Sequence, residues 1–188
     1  FGDVWSDIAR VAEALGRSAE GAEVIRRLQA RASEIAARAA ARGTRPRVAS
    51  IEWIEPVMIG GMWMPELIEM AGGTPLITGP GDHAPTLAMD ALRELSPDVV
   101  VVSPCGFSLD RTLQELHALR AALPWESWPA VGAGRADGNA YFNRPGPRIV
   151  ESSEILAGSL HPDAFAELRG KHQSTVVRLD ADLKQHAF

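Results

Sequence analysis

The run of valines from Val99 to Val102 constrains the fold of this chain more than any other feature. A strand with one face in water alternates apolar and polar residues, whereas a strand that is apolar on both faces lies in a sheet covered by helices on both sides. Helical patterns precede and follow the run, from about Thr86 to Leu95 and from Leu109 to Leu123. This alternation predicts an α/β fold in which Asp98–Val102 is a strand of a mostly parallel sheet.

The same alternation extends to both sides of this strand. The segment "RVASIEW", Arg47–Trp53, is strand-like, and Pro65 and Gly72 mark the two ends of the helix that follows it. Further extended segments and helices are predicted at "TPLI", "PAVGAG", "NAYF", Arg148–Leu160 and Asp163–Leu168. The sequence therefore predicts one three-layer α/β/α lobe over residues 46–170.

Two amphipathic helices are predicted before this lobe. From Val4 to Gly16 the apolar residues recur at steps of three and four, and Gly16 is a typical helix C-cap. The second helix, Ala19 to Arg42, is rich in alanine and arginine with a narrow apolar stripe, which is typical of a helix that braces or connects larger units. Residues 1–45 are thus predicted to be helical, and residues 171–188 form a tail without an assigned structure.

Composition excludes several classes of protein. A formal net charge of −5 argues against nucleic acid as a partner, because phosphate binding needs a basic face. No apolar stretch of about 18 residues is present, so no membrane-spanning helix is predicted. The single cysteine cannot form an internal disulfide, and no signal peptide is visible where the chain opens on Phe1. Both extracytoplasmic and cytoplasmic locations stay open on these grounds.

The connection from Glu52 to Gly73, "EWIEPVMIGGMWMPELIEMAGG", is unusually apolar for a loop. In an open parallel sheet ligands bind beyond the carboxyl ends of the strands, and the turns leaving those ends carry most of the aromatic residues of the lobe. Such a composition fits a pocket for a bulky organic ligand, but it equally fits a lid over the protein's own core. The predicted rim consists of Trp53, Met58, Met62, Trp63, Phe107, Tyr141 and Phe142, with Glu55, Asn143 and Arg144 as polar orienting groups.

An enzymatic alternative depends on Cys105 in "SPCGF". A thiol directly after a buried strand could act as a nucleophile of a small hydrolase or transferase if a histidine lay beside it, although a buried cysteine is more often a small apolar residue. The histidines are scattered without metal-site spacing, and no glycine-rich phosphate turn follows a strand. Neither a metal site nor a nucleotide site is predicted. A third alternative is a non-catalytic interaction domain that pairs with another chain through the long helix.

Three segments in sequence order resemble the cobalamin and iron-siderophore type of ABC-transporter substrate-binding protein. They are "RVASIEWIEPVMIGGMWMPELIEMAGG", "LSPDVVVVSPCGF" and "YFNRPGPRIVESSEILAGSLHP", and the likeness spans Arg47 to Pro162. The long alanine- and arginine-rich helix is similar to the rigid helix that joins the two lobes in that family. The resemblance implies that this chain comprises the bridging helix and the C-terminal lobe, and that an N-terminal lobe lies outside the 188 residues.

The resemblance also implies a function. It implies a binding protein rather than an enzyme, in the periplasm or otherwise outside the cytoplasm, without an intrinsic cofactor. The ligand would be a corrinoid such as cobalamin, or an iron-siderophore or haem-like chelate, delivered to an ABC-transporter permease. The residues implied to contact the ligand are Trp53, Glu55, Met58, Trp63, Tyr141, Phe142 and Arg144, to which the rim prediction adds Phe107.

Asp90 matches the position of the carboxylate that docks onto the permease in that family. It is an aspartate where vitamin-binding members have a glutamate, so its reach is one methylene shorter. Ala84 lies near the position where those members have a tryptophan against the corrin ring. Trp63 is the residue expected to replace that contact.

Overall fold

The computed structural model describes residues 1–128, 132–136, 141–180 and 184–188. The helices are α1 (Gly2–Ala14), α2 (Ser18–Ala40), α3 (Met64–Met70), α4 (Met89–Glu94), α5 (Leu109–Gln114), α6 (Leu116–Ala122), α7 (Ile149–Leu160) and α8 (Ala166–His172). The strands are β1 (Arg47–Trp53), β2 (Met58–Ile59), β3 (Thr74–Pro75), β4 (Val99–Val102), β5 (Gly132–Ala136), β6 (Val176–Leu179) and β7 (Gln185–Ala187).

The described strands form one mixed sheet in the order β2-β1-β4-β5-β6-β7, with β3 also beside β1. Its centre is parallel, since β1 pairs with β4 and β4 pairs with β5 in the same direction. The short strands β2 and β3 pair with opposite ends of β1, β2 antiparallel and β3 parallel. On the other side β6 and β7 extend the sheet antiparallel. The parallel centre directs the carboxyl ends of β1 and β4 to one edge.

Each face of the sheet has its own core because successive strand residues point to opposite sides. Val48 and Val101 pack with buried residues of α2, α3 and α7. Ala49 and Val100 face the other way and pack with residues of α4 and α6, where the buried indole of Trp128 also donates a hydrogen bond to the main chain of α4. The sheet therefore lies between two helical layers, which is the three-layer arrangement.

The helix α2 is attached along the first of these layers. Its buried residues Leu28, Ala32 and Ile35 belong to the same core as α3 and α7. Arg31 also reaches Glu154 of α7, with 2.6 Å between nitrogen and oxygen. The helix α1 folds back on α2, so that its own exposed face carries Val11 and, just past its end, Leu15.

The α/β class is confirmed, and β1 coincides with the predicted strand. The helix predicted from Leu109 to Leu123 is instead divided into α5 and α6 at Glu115, whose ψ of 18° departs from helical geometry. The helix predicted at Asp163 begins later, at Ala166.

At the carboxyl terminus, the sheet continues past residue 170 through β6 and β7, into the part predicted to be a tail. Of the predicted segment "NAYF", the first two residues lie outside the described ranges. None of the described helices is both long and apolar enough to cross a membrane.

Candidate functional site

The sheet face under α3 and α7 changes from apolar to polar toward the carboxyl ends of β1 and β4. Alternate residues of a strand share a face, so Val48 is followed on that face by Ser50 and then by Glu52. Likewise Val101 is followed by Ser103, just beyond the end of β4. Both serines are buried. Polar groups thus replace the core at the edge where open α/β sheets bind ligands.

A small cavity of about 50 Å³ opens at this edge, and we call it the edge pocket. Ser50, Glu52 and Ser103 form its polar inner wall. Its volume suits one substituent of a ligand rather than a whole macrocycle, since complete small-molecule pockets occupy roughly 300–1,000 Å³. The remaining lining residues come from three turns and are Gly60, Gly61, Met62, Trp63, Met64, Cys105, Phe142 and Asn143.

The turn that carries Met62 is fixed by hydrogen bonds to the loop after β3. Met62 has a φ of 54°, a left-handed conformation that costs free energy in a residue other than glycine. Its N–H donates to the carbonyl of Asp82 at 2.6 Å, and its own carbonyl accepts from the N–H of Gly81 at 2.8 Å. Thr78 donates to the carbonyl of Gly60 at 2.7 Å. These bonds hold the 44% exposed side chain of Met62 at the mouth of the edge pocket.

The carboxylate of Glu52 accepts two weak hydrogen bonds within the pocket. The N–H of Gly61 donates to Oε2 at 3.3 Å, and the Cys105 thiol donates to Oε1 at 3.5 Å. Cys105 is exposed, but partial desolvation of its thiol and the neighbouring Glu52 carboxylate raise its pKa to about 11. A catalytic cysteine needs a lowered pKa, so this environment disfavours Cys105 as a nucleophile.

The polar side-chain groups of Trp63 and Asn143, two lining residues of the edge pocket, form hydrogen bonds within the protein. Trp63 donates its indole N–H to the carbonyl of Phe142 at 2.8 Å, and the Phe142 ring is buried. Asn143 donates its side-chain amide to the carbonyl of Pro104 at 3.0 Å. The turn before α7 is thereby joined to the turns after β2 and β4. The half-buried ring of Trp63 remains available for apolar contact with a ligand.

A second depression, the edge groove, lies beside the edge pocket. It has a volume of about 170 Å³ and is lined by Trp53, Ile54, Glu55, Pro104, Phe107, Glu115 and Ala118. The rings of Trp53 and Phe107 meet edge to face, with centroids 5.6 Å apart. Arg111 covers the Phe107 ring, its guanidinium carbon 4.9 Å from the centroid. The groove is therefore an aromatic surface with two carboxylates at its margin.

Comparison with known proteins identifies the family. Residues 1–135 match the family model described as periplasmic binding protein. The chain belongs to the periplasmic binding protein family. No curated protein matches the chain.

Solved structures resemble this periplasmic binding protein in fold. A periplasmic haem-binding protein from Pseudomonas aeruginosa superposes with a TM-score of 0.69 at 18% identity, over 98% of this chain and 63% of that one. The periplasmic haem-binding protein BhuT, solved in complex with two haems, gives 0.66 at 25% identity, over 86% and 62%. The periplasmic vitamin B12-binding protein of Vibrio cholerae gives 0.60 at 16% identity, over 84% and 60%. The chain thus spans less than two thirds of the length of these proteins.

The structure divides the predicted site residues of this periplasmic binding protein into three groups. Met62, Trp63, Phe142 and Asn143 line the edge pocket, whereas Trp53, Glu55 and Phe107 line the edge groove. Met58, Tyr141 and Arg144 line neither. A contact between the ligand and any of these residues stays a prediction.

The three residues outside both depressions have different surroundings. Met58 pairs with Trp53 across β1 and β2. Tyr141 packs its ring edge-on against His172 at 6.0 Å, and the guanidinium of Arg148 lies 4.2 Å from its centre. Arg144 is exposed. Asp90, predicted to dock onto a permease, is 93% exposed on α4 and pairs with Arg93 at 3.0 Å.

Sequence reasoning missed the inner wall of the edge pocket, Ser50, Glu52 and Ser103. A signal was present, because a strand buried on both faces should be apolar throughout, and β1 carries a serine and a glutamate on the face it shares with Val48. Within the described residues, no group of three or more His, Cys, Asp or Glu side chains is placed to hold a metal ion. The lining of the edge pocket thus contains one carboxylate, that of Glu52, beside hydroxyl, amide, thiol and apolar groups.

Proposed function

We propose that this chain is part of the substrate-binding component of an ABC importer. In this proposal it binds a corrinoid or an iron chelate of the siderophore or haem type at the carboxyl edge of its sheet and delivers it to the permease. Family membership supports the role, and the haem- and vitamin B12-binding structures with the same fold support the ligand class.

The observation that carries the proposal is the construction of the edge pocket. Its inner wall is polar, and its outer wall presents Met62 and Trp63, whose side chains are partly exposed although they are apolar. Exposed apolar surface at such an edge is stabilised when a ligand covers it, by about 25 cal/mol for each Å² removed from water. The edge groove adds a second aromatic surface, with Trp53 and Phe107, at the same carboxyl edge.

Binding by the 188-residue chain is tested by calorimetric titration with cyanocobalamin, haemin and ferrioxamine B. We expect Trp63→Ala to weaken binding of whichever ligand binds by at least tenfold, and Trp63→Phe to retain part of the affinity because the apolar ring is kept. Trp125→Phe is the matched control, since that indole lines neither depression. An unchanged affinity of Trp63→Ala for every ligand would count against the proposal.

Asp90 is proposed to contact the permease. Its 93% exposed carboxylate lies on a short helix and pairs with Arg93 of the same helix, so it can be presented to cationic loops of a membrane partner. Such a rim charge affects docking rate and register more than ligand affinity. Asp90→Lys is expected to lower the rate at which the permease transports the ligand and to leave ligand affinity unchanged. Glu94→Lys, on the same exposed helix, is the control for a general charge effect.

The proposed location is outside the cytoplasm, as the family name implies. The enzymatic alternative gains no support from the site, since the only acid–base partner that contacts the Cys105 thiol in the described residues is Glu52, which raises its pKa. A nucleophilic Cys105 would be alkylated rapidly at neutral pH. A slow reaction that accelerates only at alkaline pH would agree with the binding role.

A further inference from the structure

The edge pocket contains a single charged side chain among its described lining residues, and it is the carboxylate of Glu52. The rest of the lining consists of two serine hydroxyls, apolar side chains, glycines, the Cys105 thiol and the Asn143 amide. The amide N–H groups of Asn143 are directed to the carbonyls of Ser103 and Pro104. No cation from the described part of the chain lines this pocket. An anionic group of a ligand would thus meet a carboxylate there without a compensating charge.

Glu52 retains capacity to accept hydrogen bonds. A carboxylate has about four acceptor positions, and the structure gives Glu52 one donor on each oxygen, the Gly61 N–H at 3.3 Å and the Cys105 thiol at 3.5 Å. The N–H distance is long for an amide donor, and a thiol is a weak donor at any distance. A ligand N–H placed in the pocket would gain a hydrogen bond to a charged acceptor, which is stronger than one between neutral groups.

The volume of the pocket restricts what enters it. About 50 Å³ admits a group of a few atoms, such as a carboxamide or an ammonium, while the ring of Trp63 and the thioether of Met62 lie at its mouth. The remainder of a bulky ligand would lie outside against this apolar surface. One polar substituent of the ligand is thus directed inward to Glu52, and its charge decides whether it is accepted.

We propose that Glu52 selects ligands whose inward edge carries an uncharged or cationic N–H donor, and disfavours ligands that direct a carboxylate or a catecholate into the pocket. This inference rests on the proposed binding function and narrows its ligand class. Amide-bearing corrinoids and hydroxamate iron chelates with an ammonium group have the required chemistry. Ferric catecholates are anionic at the corresponding edge, and haem carries two propionates.

The test is a comparison of Glu52→Gln with the unmodified chain by calorimetric titration. The probes are cyanocobalamin, which is amide-bearing, ferrioxamine B, which carries an ammonium group, ferric enterobactin, which is anionic, and haemin. Glutamine keeps the size and one acceptor oxygen but removes the charge. Glu69→Gln, an exposed carboxylate on α3 outside the pocket, is the matched control.

We expect the unmodified chain to prefer cyanocobalamin or ferrioxamine B over the anionic probes by at least tenfold. Glu52→Gln should reduce this preference by fivefold or more, mostly for ferrioxamine B if an ammonium enters the pocket and for cyanocobalamin if a carboxamide does. The inference is overturned if ferric enterobactin or haemin binds as tightly as the neutral and cationic probes, or if Glu52→Gln changes every affinity by less than twofold. In that case binding that still depends on Trp63 would leave the proposed function standing, whereas failure of all four probes to bind would overturn both.

Discussion

Two carboxylates on the same side of the sheet, Glu154 on α7 and Glu52 on β1, differ in how many hydrogen bonds the protein donates to them. Glu154 is 5% exposed on α7 and accepts from Arg31 and Lys171, each at 2.6 Å, while His172 Nε2 lies 2.9 Å away. Burial raises the pKa of Glu154, but hydrogen bonds from these three residues outweigh that effect and lower the pKa to about 2. Among the described residues, the donors to Glu52 are the backbone N–H of Gly61 and the thiol of Cys105.

The contrast separates a structural carboxylate from a binding one. Glu154 joins α2, α7 and α8, and its oxygens are occupied by cations supplied by the chain itself. A buried charge with that many partners contributes to the fold and has little capacity left for a ligand. Glu52 lies at an open edge with weak donors. Its unused capacity to accept hydrogen bonds makes it available to a ligand. Substitutions at the two positions should therefore differ in their effects, with the strongest effect on stability at Glu154.

Glu154→Gln should destabilise the fold most, by about 2–3 kcal/mol, because it removes the buried anion that accepts hydrogen bonds from Arg31 and Lys171, while these cations remain partly solvated. The free energy of unfolding is measured by denaturant titration at neutral pH. Glu23→Gln is the matched control, since Glu23 also forms a 2.6 Å pair, with Arg26, but on the exposed surface of α2. Such an exposed pair contributes little to stability because water and salt screen it. Equal losses in the two variants would show that Glu154 has no special structural role.

Acid should remove the same stabilisation in the unmodified chain. The folded pKa of Glu154 is about 2, below the value of 4.5 for an unperturbed glutamate, so its contribution is complete above pH 4.5 and is lost as the pH falls toward 2. A shift of this size corresponds to a loss on the order of 3 kcal/mol. The measurement is the unfolding free energy between pH 6 and pH 2.5. Glu154→Gln should show a correspondingly shallower decline, and parallel curves would contradict the assignment.

The contrast also shows what a sequence can predict here. β1 and β4 were predictable because their apolar pattern is local. Trp63 and Phe107 line depressions at the carboxyl edge that a parallel sheet predicts, whereas Tyr141 lines neither, and the role of these residues in binding stays a prediction. The division of the rim residues between the edge pocket and the edge groove was not predictable. It depends on side-chain packing between distant residues, such as the hydrogen bond from the Trp63 indole to the Phe142 carbonyl, 79 residues apart. The Glu154 cluster joins residues 123 apart, with no local signal.

His161, a basic side chain, should cause a smaller dependence of stability on pH than the acidic Glu154. His161 is buried directly after α7, and burial lowers its pKa from 6.5 although the main chain of Gly72 and Ala71 acts in the opposite direction. The folded state therefore favours the neutral ring, and stability should fall as the pH drops below 6.5, where the unfolded chain binds the proton more readily. The unfolding free energy of His161→Gln should decline less between pH 7.5 and pH 5.5. An identical decline in both proteins would exclude this histidine as the cause.

Glu52→Gln should have the weakest effect on stability, within about 0.5 kcal/mol, because the carboxylate is half-buried at an open edge and its two hydrogen bonds are weak. Its effect should appear instead on Cys105, whose pKa of about 11 is raised first by partial burial and second by the charge of Glu52. Removing that charge should lower the thiol pKa while leaving it above the ordinary value of 9.0, because the burial remains. The rate of alkylation against pH measures this shift. A stability loss as large as that of Glu154→Gln, with no change in the alkylation profile, would mean that Glu52 belongs to the fold and not to the ligand.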